Sequence, residues 1–229
     1  ARGTGLVTSM PPADALPEPG FPRTDDGMAR ETRSMWVPRT DVDNSEAIDA
    51  LLDMASRAGI NTLIVDIFYR TRLMARSDLC EPMAMVTEDF DPLAELCGRA
   101  HERDIDVHAW YCVSYAGRDF HEKHPEMATV DENGDFIGMT HDLHDPDYRD
   151  WFVSITRDVA TNYDIDGTHL DYIRTKRDCY CAECRATFQE RFGIPLADAT
   201  GAQWQEWHRS AVSEIVRRVS EETRAVDPE

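Results

Sequence analysis

The chain has 229 residues, 41% of them hydrophobic, and a formal net charge of −20, with Lys123 and Lys176 as its only lysines. This length is enough for one large globular domain or two small ones, and the apolar content is sufficient for a hydrophobic core. The negative charge argues against nucleic acids and anionic membranes as partners, because both would be repelled. No stretch approaches the roughly 20 apolar residues that a membrane span requires.

The first residues, Ala1–Thr32, are rich in proline, glycine and aspartate and show no helix or strand periodicity. We interpret them as an N-terminal tail or lead-in, which leaves residues 33–229 for the folded domain. Because Ala1 stands where an initiator methionine is expected, the chain is either processed or a segment of a longer protein.

Four apolar runs of strand length alternate with helical patterns. The predicted strands are Ser34–Val37, Asn61–Phe68, Ile105–Val113 and Thr168–Ile173. Apolar stripes at helical spacing predict a helix after each of the first three strands. Gly59 marks the end of the first helix, and the aspartate–proline pairs at 91–92 and 145–146 mark the beginnings of the second and third. This alternation predicts a parallel α/β sheet or barrel. A (β/α)₈ barrel takes roughly 250 residues, so we expect only its first four βα units here.

Ser114–Asp145 is a long insertion after the third predicted strand. Within it, Asn133-Gly134 predicts the turn of a small hairpin. The acidic tip at 131–135 resembles the start of a calcium loop, but Phe136 stands where that loop requires glycine, so we interpret it as a hairpin tip only. The H-D-L-H-D run at 141–145 indicates the capping turn of the next helix, with a cation or substrate site as the alternative.

Asp171 lies near the carboxyl end of the fourth predicted strand, where parallel sheets and barrels carry their chemistry. Strand alternation puts His169 and Asp171 on one side, and Leu170 and Tyr172 toward the outer layer. We therefore predict that Asp171 is a catalytic carboxylate, kept ionised by His169 or Arg174. The alternative is a structural aspartate that pairs with Arg174.

Further side chains near the same strand ends are candidate substrate contacts: Asp66, Arg70, His108, Trp110, His169, Tyr172 and Arg174. Asp66 is either the second carboxylate of a site or half of a buried Asp–Arg pair that holds the following loop. His108 and Trp110 share one face of the third strand. An indole suits stacking on a sugar ring, and filling of the barrel core is the alternative.

Three thiols are close together in the sequence: Cys179, Cys181 and Cys184. Their C-x-C-x-x-C spacing predicts a structural metal site, with zinc as the expected ion and a fourth ligand from Cys112, Cys80 or a histidine. The alternatives are reduced thiols in a cytosolic protein, or a disulfide to Cys80 in a secreted one.

Several stretches match one family in combination: R-S-M-W-V (33–37), N-T-L-I-V-D-I-F-Y-R (61–70) with Glu81-Pro82 after it, D-P-L-A-E-L-C-G-R-A-H-E-R (91–103), V-H-A-W (107–110) and N-Y-D-I-D-G-T-H-L-D-Y-I-R (162–174). With them the chain resembles the family 10 glycosylhydrolase-like proteins. The resemblance implies a TIM barrel and hydrolysis of a polysaccharide or oligosaccharide. The family's Gly-Asp after the second-strand arginine is replaced here by Thr71-Arg72.

Glycoside hydrolysis uses two carboxyl groups that flank the scissile bond. Asp171 is one, and we expect its partner to lie outside this chain, so that the chain alone is inactive. A non-catalytic carbohydrate-binding protein on a degenerate barrel is the first alternative, and a metal-dependent hydrolase of other substrates that uses the histidines is the second. The oligomeric state stays open. Clustered thiols favour a cytoplasmic location, whereas the resemblance also allows secretion.

Overall fold

The computed structural model describes residues 31–175 and 178–227. Its strands are β1 (Ser34–Val37), β2 (Thr62–Tyr69), β3 (Arg72–Leu73), β4 (Asp106–Cys112), β5 (Ala128–Val130), β6 (Phe136–His141) and β7 (Gly167–Asp171). Its α-helices are α1 (Ser45–Ala58), α2 (Pro92–His101), α3 (Arg118–Lys123), α4 (Pro146–Asn162), α5 (Ala182–Phe192) and α6 (Gly201–Val226). The predicted tail, Ala1–Thr32, lies outside the described residues except for its last two positions.

Four parallel strands form the main sheet in the order β1-β2-β4-β7, as the alternating pattern predicts, and β3 pairs antiparallel with the end of β2. Two rows of aligned residues cross it: Trp36, Ile64, His108 and Gly167 in one, and Asp66, Trp110 and His169 in the next. Side chains of one row point to the same face of a parallel sheet. The strand order therefore gathers Asp66, His108, Trp110 and His169 on a single face.

The opposite, outer face of the sheet packs against the helices in one hydrophobic core. The predicted helix stripes are buried there: Ile48, Leu51, Leu52 and Ala55 in α1; Leu93, Leu96, Cys97 and Ala100 in α2; Tyr148, Phe152, Ile155 and Val159 in α4. Burial of each large apolar side chain contributes about 1.5–3 kcal/mol. The helices begin as predicted, because Asp91 and Asp145 accept hydrogen bonds from the backbone N–H groups of Ala94 and Tyr148.

The fourth predicted strand is shorter than expected. It ends at Asp171 instead of Ile173, because Tyr172 adopts a left-handed backbone conformation with φ +49°. A non-glycine residue in this region interrupts strand geometry. Tyr172 therefore lies beyond the strand, and its predicted position in the outer layer is wrong: its ring contacts that of Tyr115, with centroids 5.6 Å apart.

The insertion after β4 contains the predicted hairpin, formed by β5 and β6. Asp131 holds its tip by accepting hydrogen bonds from the N–H groups of Asn133 (2.8 Å) and Asp135 (2.9 Å), and Gly134 has φ +87°. This use of the Asp131 carboxylate agrees with a turn rather than a calcium loop. The short helix α3 precedes the hairpin and has too few residues to produce a helical period in the sequence.

The longest helix, α6, packs on α4. Its first turn has a capping box, in which Thr200 and Gln203 exchange hydrogen bonds between side chain and backbone. Together with α5 it encloses a small second core around Cys179, Cys184 and Phe188. Within the described ranges, no helix is long and apolar enough to cross a bilayer.

Candidate functional site

Asp66 and Asp171 lie on the same face of the sheet, on strands separated by β4. Asp66 precedes an irregularity in the pairing of β2 and β4, between Asp66 and Phe68. Bulges of this kind occur next to active sites, where they redirect side chains. Burial is the main cause of the raised pKa of Asp66, and the negative charge of Asp171 adds to it. The two carboxylates are therefore close enough to interact electrostatically.

The partner of Asp66 is Arg39, from a short 3₁₀ helix after β1, whose Nη1 lies 2.6 Å from Oδ2. The buried Asp–Arg pair considered from the sequence is thus present, with Arg39 as its arginine, and the guanidinium of Arg70 lies against the ring of Tyr69. The other oxygen, Oδ1, is buried without a hydrogen-bond partner among the described residues. Burial raises the pKa of Asp66, and the bond and charge of Arg39 oppose this.

Asp171 is half-buried at the end of β7. Its Oδ1 accepts a hydrogen bond from the backbone N–H of Tyr172 at 2.6 Å, so the left-handed residue that ends the strand also orients the carboxylate. Arg174 does not pair with Asp171: its Cζ lies 4.7 Å from the ring centroid of Tyr172. The structural alternative based on an Asp171–Arg174 pair is therefore wrong, whereas an effect of the Arg174 charge on Asp171 stays a prediction.

Aromatic rings flank the two carboxylates on this face. Trp36 contacts both Trp110 and His169 edge to face, with centroids 4.5 and 4.6 Å apart. Trp36 is 48% exposed, and the Nε1 of Trp110 is buried without a partner in the described part of the chain. His108 lies one row deeper, where burial lowers its pKa and its ring lies against Gly167.

A second set of rings lines the carboxyl edge of the sheet. Tyr69, Tyr115 and Tyr172, here called the tyrosine row, follow or end strands β2, β4 and β7. Tyr69 and Tyr115 stack with centroids 5.5 Å apart, and Tyr115 meets Tyr172 at 5.6 Å. All three tyrosines are half-buried, and the parts of their rings that remain accessible suit sugar rings because they offer apolar area at low conformational cost. The sequence prediction named Tyr172 but missed Tyr69 and Tyr115, although both stand next to predicted strand ends.

Arginines surround the tyrosine row. The Cζ atoms of Arg39 and Arg70 lie 4.1 and 5.3 Å from the ring centroid of Tyr69. A cleft of about 380 Å³ opens beside Tyr69 and is also lined by Arg39, Arg70, Arg72 and Asp119. Arg70 and Thr71 have left-handed φ values of +51° and +62°. Such strain is concentrated at functional sites, where surrounding contacts over-determine the backbone.

The cysteine cluster is completed by an aspartate. Ligand atoms of Asp142, Cys179, Cys181 and Cys184 lie within 4.8 Å of one another and could hold a metal ion. The expected fourth ligand, Cys112, Cys80 or a histidine, is therefore wrong. The thiol of Cys80 donates to the backbone oxygen of Thr71 instead, at 3.2 Å, and all six cysteines are free, so a disulfide to Cys80 is excluded.

Asp142 is anchored on both of its oxygens. Oδ1 accepts hydrogen bonds from the backbone N–H of His144 (3.0 Å) and lies 3.1 Å from its Nδ1. Oδ2 accepts from the thiols of Cys184 (3.0 Å) and Cys181 (3.6 Å). Burial opposes ionisation of Asp142, but the bonds from His144 outweigh it and hold the pKa at about 2. Asp145 caps α4 as predicted, so the H-D-L-H-D run both caps a helix and contributes to the cluster.

The parallel sheet, its covered outer face and the polar groups at its carboxyl edge are those of part of a TIM barrel. The profile of the family Glycosyl hydrolase-like 10 matches residues 28–229. The chain belongs to this family, as the sequence resemblance predicts.

Two curated relatives are named glycosyl hydrolases. DigH of Escherichia coli (strain K12) is 22% identical over 237 residues, which cover 88% of this chain and 52% of DigH. YngK of Bacillus subtilis (strain 168) is 25% identical over 196 residues, which cover 78% of this chain and 37% of YngK. The chain thus spans about half or less of the relatives that it matches.

Solved glycosidase structures share the fold. α-L-Fucosidase isoenzyme 2 from Paenibacillus thiaminolyticus superimposes with a TM-score of 0.71 at 20% identity, over 87% of this chain and 31% of the fucosidase. The cold-adapted β-galactosidase from Rahnella sp. R3 superimposes with a TM-score of 0.67 at 16% identity, over 91% of this chain and 36% of the galactosidase. At this identity the likeness concerns the fold alone. It agrees with a partial TIM barrel.

Proposed function

We propose that the protein hydrolyses a glycosidic bond of a polysaccharide or oligosaccharide, with Asp171 as the nucleophile or as the acid/base. The observation that carries this proposal is the position of Asp171 at the carboxyl end of β7, on the face that also presents Asp66. Parallel barrels carry their catalytic groups at these strand ends. The family membership supports the same reaction class.

Asp66 is proposed to support the site and not to act as the second catalytic carboxyl group. Its Oδ2 is already bound by Arg39, and its side chain is only 6% exposed. Its negative charge, when ionised, would favour protonation of an approaching acid. The second carboxyl group is proposed to come from outside these 229 residues, as the sequence analysis expects.

The substrate contacts are proposed to come from two levels of the site. His108, Trp110 and His169 would contact a sugar ring that lies over the sheet. Tyr172, Arg70 and Arg174 would contact the glycan along the carboxyl edge. Aromatic faces and hydrogen-bond donors together are what recognition of a polyhydroxylated ring requires.

The test is Asp171→Asn in a form of the protein that releases reducing ends from a polysaccharide. We expect turnover to fall at least about a thousandfold while glycan binding is retained. Asp164→Asn is the matched control, since Asp164 lies in the turn before the same strand and its side chain is 90% exposed. Unchanged turnover in Asp171→Asn would contradict the proposal.

A carbohydrate-binding protein without catalysis is the second candidate, favoured by the aromatic groups at the site. It predicts that the parent protein binds glycan. It also predicts that a form as long as the relatives in question shows no turnover. The Asp171→Asn variant would then bind as the parent does, and loss of binding on Trp110→Ala would identify the sugar-contacting face.

We also propose that the cluster of Asp142 and the three cysteines holds a structural zinc ion. Tetrahedral zinc, with bonds of about 2.3 Å to sulfur and about 2.1 Å to oxygen, separates ligand atoms by about 3.5–3.8 Å. The Cys181 Sγ–Asp142 Oδ2 distance of 3.6 Å lies in this range, and the Cys184 Sγ–Asp142 Oδ2 distance of 3.0 Å would have to lengthen by about 0.5 Å on binding of the ion. The hydrogen bonds to Oδ1 leave Oδ2 for the ion. A bound zinc ion would cross-link the segment of Asp142 to the segment of the three cysteines. It would take no part in the reaction of the substrate.

A further inference from the structure

The cluster of Asp142 and the three cysteines lies at the junction of two chain segments. Both segments lead to the tyrosine row. Asp142 directly follows β6, and Cys184 is 42 residues further along the chain. The segment around the cysteines docks on the hairpin, because the backbone N–H of Tyr180 donates to the oxygen of Val130 at 2.9 Å and Arg185 Nη2 donates to that of Glu132 at 3.1 Å. An ion at this cluster would therefore join the hairpin to the segment that follows β7.

The first path from the cluster to the site runs through β6. The residue before Asp142 is His141, whose N–H donates to the backbone oxygen of Ser114 at 3.2 Å. Thr140 forms a bridge with Tyr115, and the N–H of Ala116 donates to the oxygen of Met139 at 3.0 Å. Tyr115, the central ring of the tyrosine row, is thus held by β6, the strand that Asp142 directly follows.

The second path runs along the chain from β7. Asp171 and Cys179 are the two ends of a connection that carries Tyr172 and Arg174. At its start, the oxygen of Tyr172 accepts a hydrogen bond from the N–H of Ser114 at 3.2 Å. The connection is therefore fixed at one end by the sheet, and at the other by whatever holds the cysteines.

We propose that metal binding by Asp142, Cys179, Cys181 and Cys184 acts as a clasp that positions Tyr115 and Tyr172 at the carboxyl edge of the sheet. The ion does not touch the substrate. Without it, the two segments are joined at the cluster only by the thiol hydrogen bonds to Asp142 Oδ2, of 3.0 and 3.6 Å, which stabilise far less than metal–ligand bonds do. The two segments can then separate more readily, which loosens the hold on the tyrosine row. The clasp acts on local order at the site and not on the stability of the sheet.

Hydrogen exchange of single segments tests the clasp without any substrate. The protein is compared as loaded with zinc, after chelation, and after reloading with zinc. We expect the amides of residues 113–116 and of 172–175 to exchange at least about tenfold faster after chelation and to recover on reloading, because local opening becomes easier. The amides of β2, Thr62–Tyr69, should not change. Failure to bind zinc, an unchanged exchange rate, or an equal rise throughout the sheet would each overturn the proposal.

Two substitutions of one residue separate the metal from the hydrogen bonds of Asp142. Asp142→Asn removes the charge and keeps the shape, and should exchange like the chelated protein. Asp142→Cys removes the bonds with His144 but supplies a thiolate as the fourth ligand. This variant should still bind zinc, and the amides of residues 113–116 and 172–175 should exchange slowly. Slow exchange in Asp142→Asn without bound zinc would show that the ion is not needed.

The consequence for the substrate rests on the proposed function and has its own readout. Binding of cellohexaose and chitohexaose is measured with and without zinc, and we expect chelation to weaken binding of whichever sugar binds by about tenfold or more. Equal affinity in both states would overturn control of the site by the clasp. If neither sugar binds the zinc-loaded protein, that result counts against the proposed function, and the exchange data decide the clasp by themselves.

Discussion

Arg39 and Asp66 form an ion pair that joins the segment after β1 to the carboxyl half of β2, with Nη1 2.6 Å from Oδ2. The side chain of Asp66 is 6% exposed and that of Arg39 is 32% exposed. Burial raises the pKa of Asp66, the charge of Asp171 raises it further, and only Arg39 acts in the opposite direction. Arg39 therefore determines whether a negative charge can persist beside Asp171.

Replacement of Arg39 by methionine should destabilise the fold. Removal of one partner from a fully buried pair costs about 3–5 kcal/mol, and the partial exposure of Arg39 lowers our expectation to about 2–4 kcal/mol at pH 7. The pKa of Asp66 should rise further in the variant. As the pH falls, Asp66 therefore binds a proton in the folded variant before it does so in the unfolded chain, which stabilises the folded variant. The difference between parent and variant in free energy of unfolding should shrink as the pH falls from 7 toward 4.

Urea unfolding of both proteins across this pH range measures the deficit. Asp66→Asn in the Arg39→Met background is the control, since it removes the unpaired charge and should restore most of the lost stability. A deficit that stays constant with pH, or that the second substitution does not relieve, would show that Arg39 acts through packing alone.

The sequence predicts the parts of this fold that local spacing determines. The apolar stripes of α1, α2 and α4 and the caps at Asp91 and Asp145 follow from periodicity and side-chain chemistry within one turn of helix. The parallel strand order follows from alternation of strands and helices. These elements agree with the structure to within a few residues at their ends.

The contacts that complete both sites could not be predicted in this way. Arg39 is 27 residues from Asp66, and Asp142 is 42 residues from Cys184, so no local pattern connects either pair. Asp142 also belongs to the H-D-L-H-D run, which is already explained as the cap of a helix, so nothing in the sequence marks it as a ligand of the cysteine cluster. The early end of β7 depends on the left-handed backbone of Tyr172, which tyrosine adopts only when its surroundings require it.

The absence of a side chain at Gly167 leaves the space that the ring of His108 occupies in the deeper row of the site. A Cβ atom at this position would lie 2.9 Å from three atoms of the His108 ring, so Gly167→Ala must displace the imidazole or the strand. We expect a loss of about 1–3 kcal/mol from this overpacking, measured by urea unfolding. Gly98→Ala is the matched control in the exposed face of α2, where nothing lies within 4 Å and the better helix former should add about 0.5–1 kcal/mol. Equal effects at the two positions would contradict the contact.

His121 should make the stability of the protein depend on pH. It is 5% exposed, packs against Phe136 and His141, and burial lowers its pKa to about 4 from an ordinary value of 6.5. The unfolded chain therefore takes up a proton first as the pH falls. The contribution of neutral His121 is complete above pH 6.5 and is lost between pH 6.5 and 4, at up to about 1.4 kcal/mol per pH unit.

The effect is measured as the difference between the parent and His121→Phe in unfolding free energy at a series of pH values. His121→Phe should flatten the decline below pH 6.5, because the phenyl ring fills the same apolar site and cannot be protonated. His124→Phe is the control, since the side chain of His124 is 44% exposed, and it should leave the decline unchanged. Parallel curves for the parent and His121→Phe would exclude His121 as the source.

His144 should set the affinity of the proposed metal site although it provides no ligand. Its backbone N–H donates to Asp142 Oδ1 and its ring Nδ1 lies 3.1 Å from the same oxygen, and its ring stacks on Trp207 with centroids 4.5 Å apart. Groups that orient a ligand typically change metal affinity 10–100-fold. His144→Phe keeps the stacking and loses the ring donor, so zinc affinity should fall by about that factor in a competition titration with a chromogenic chelator. His144→Asn keeps a donor close to the backbone and loses the stacking, and should bind zinc more tightly than His144→Phe. The reverse order would mean that the stack on Trp207, and not the bond to Asp142, positions the carboxylate for the ion.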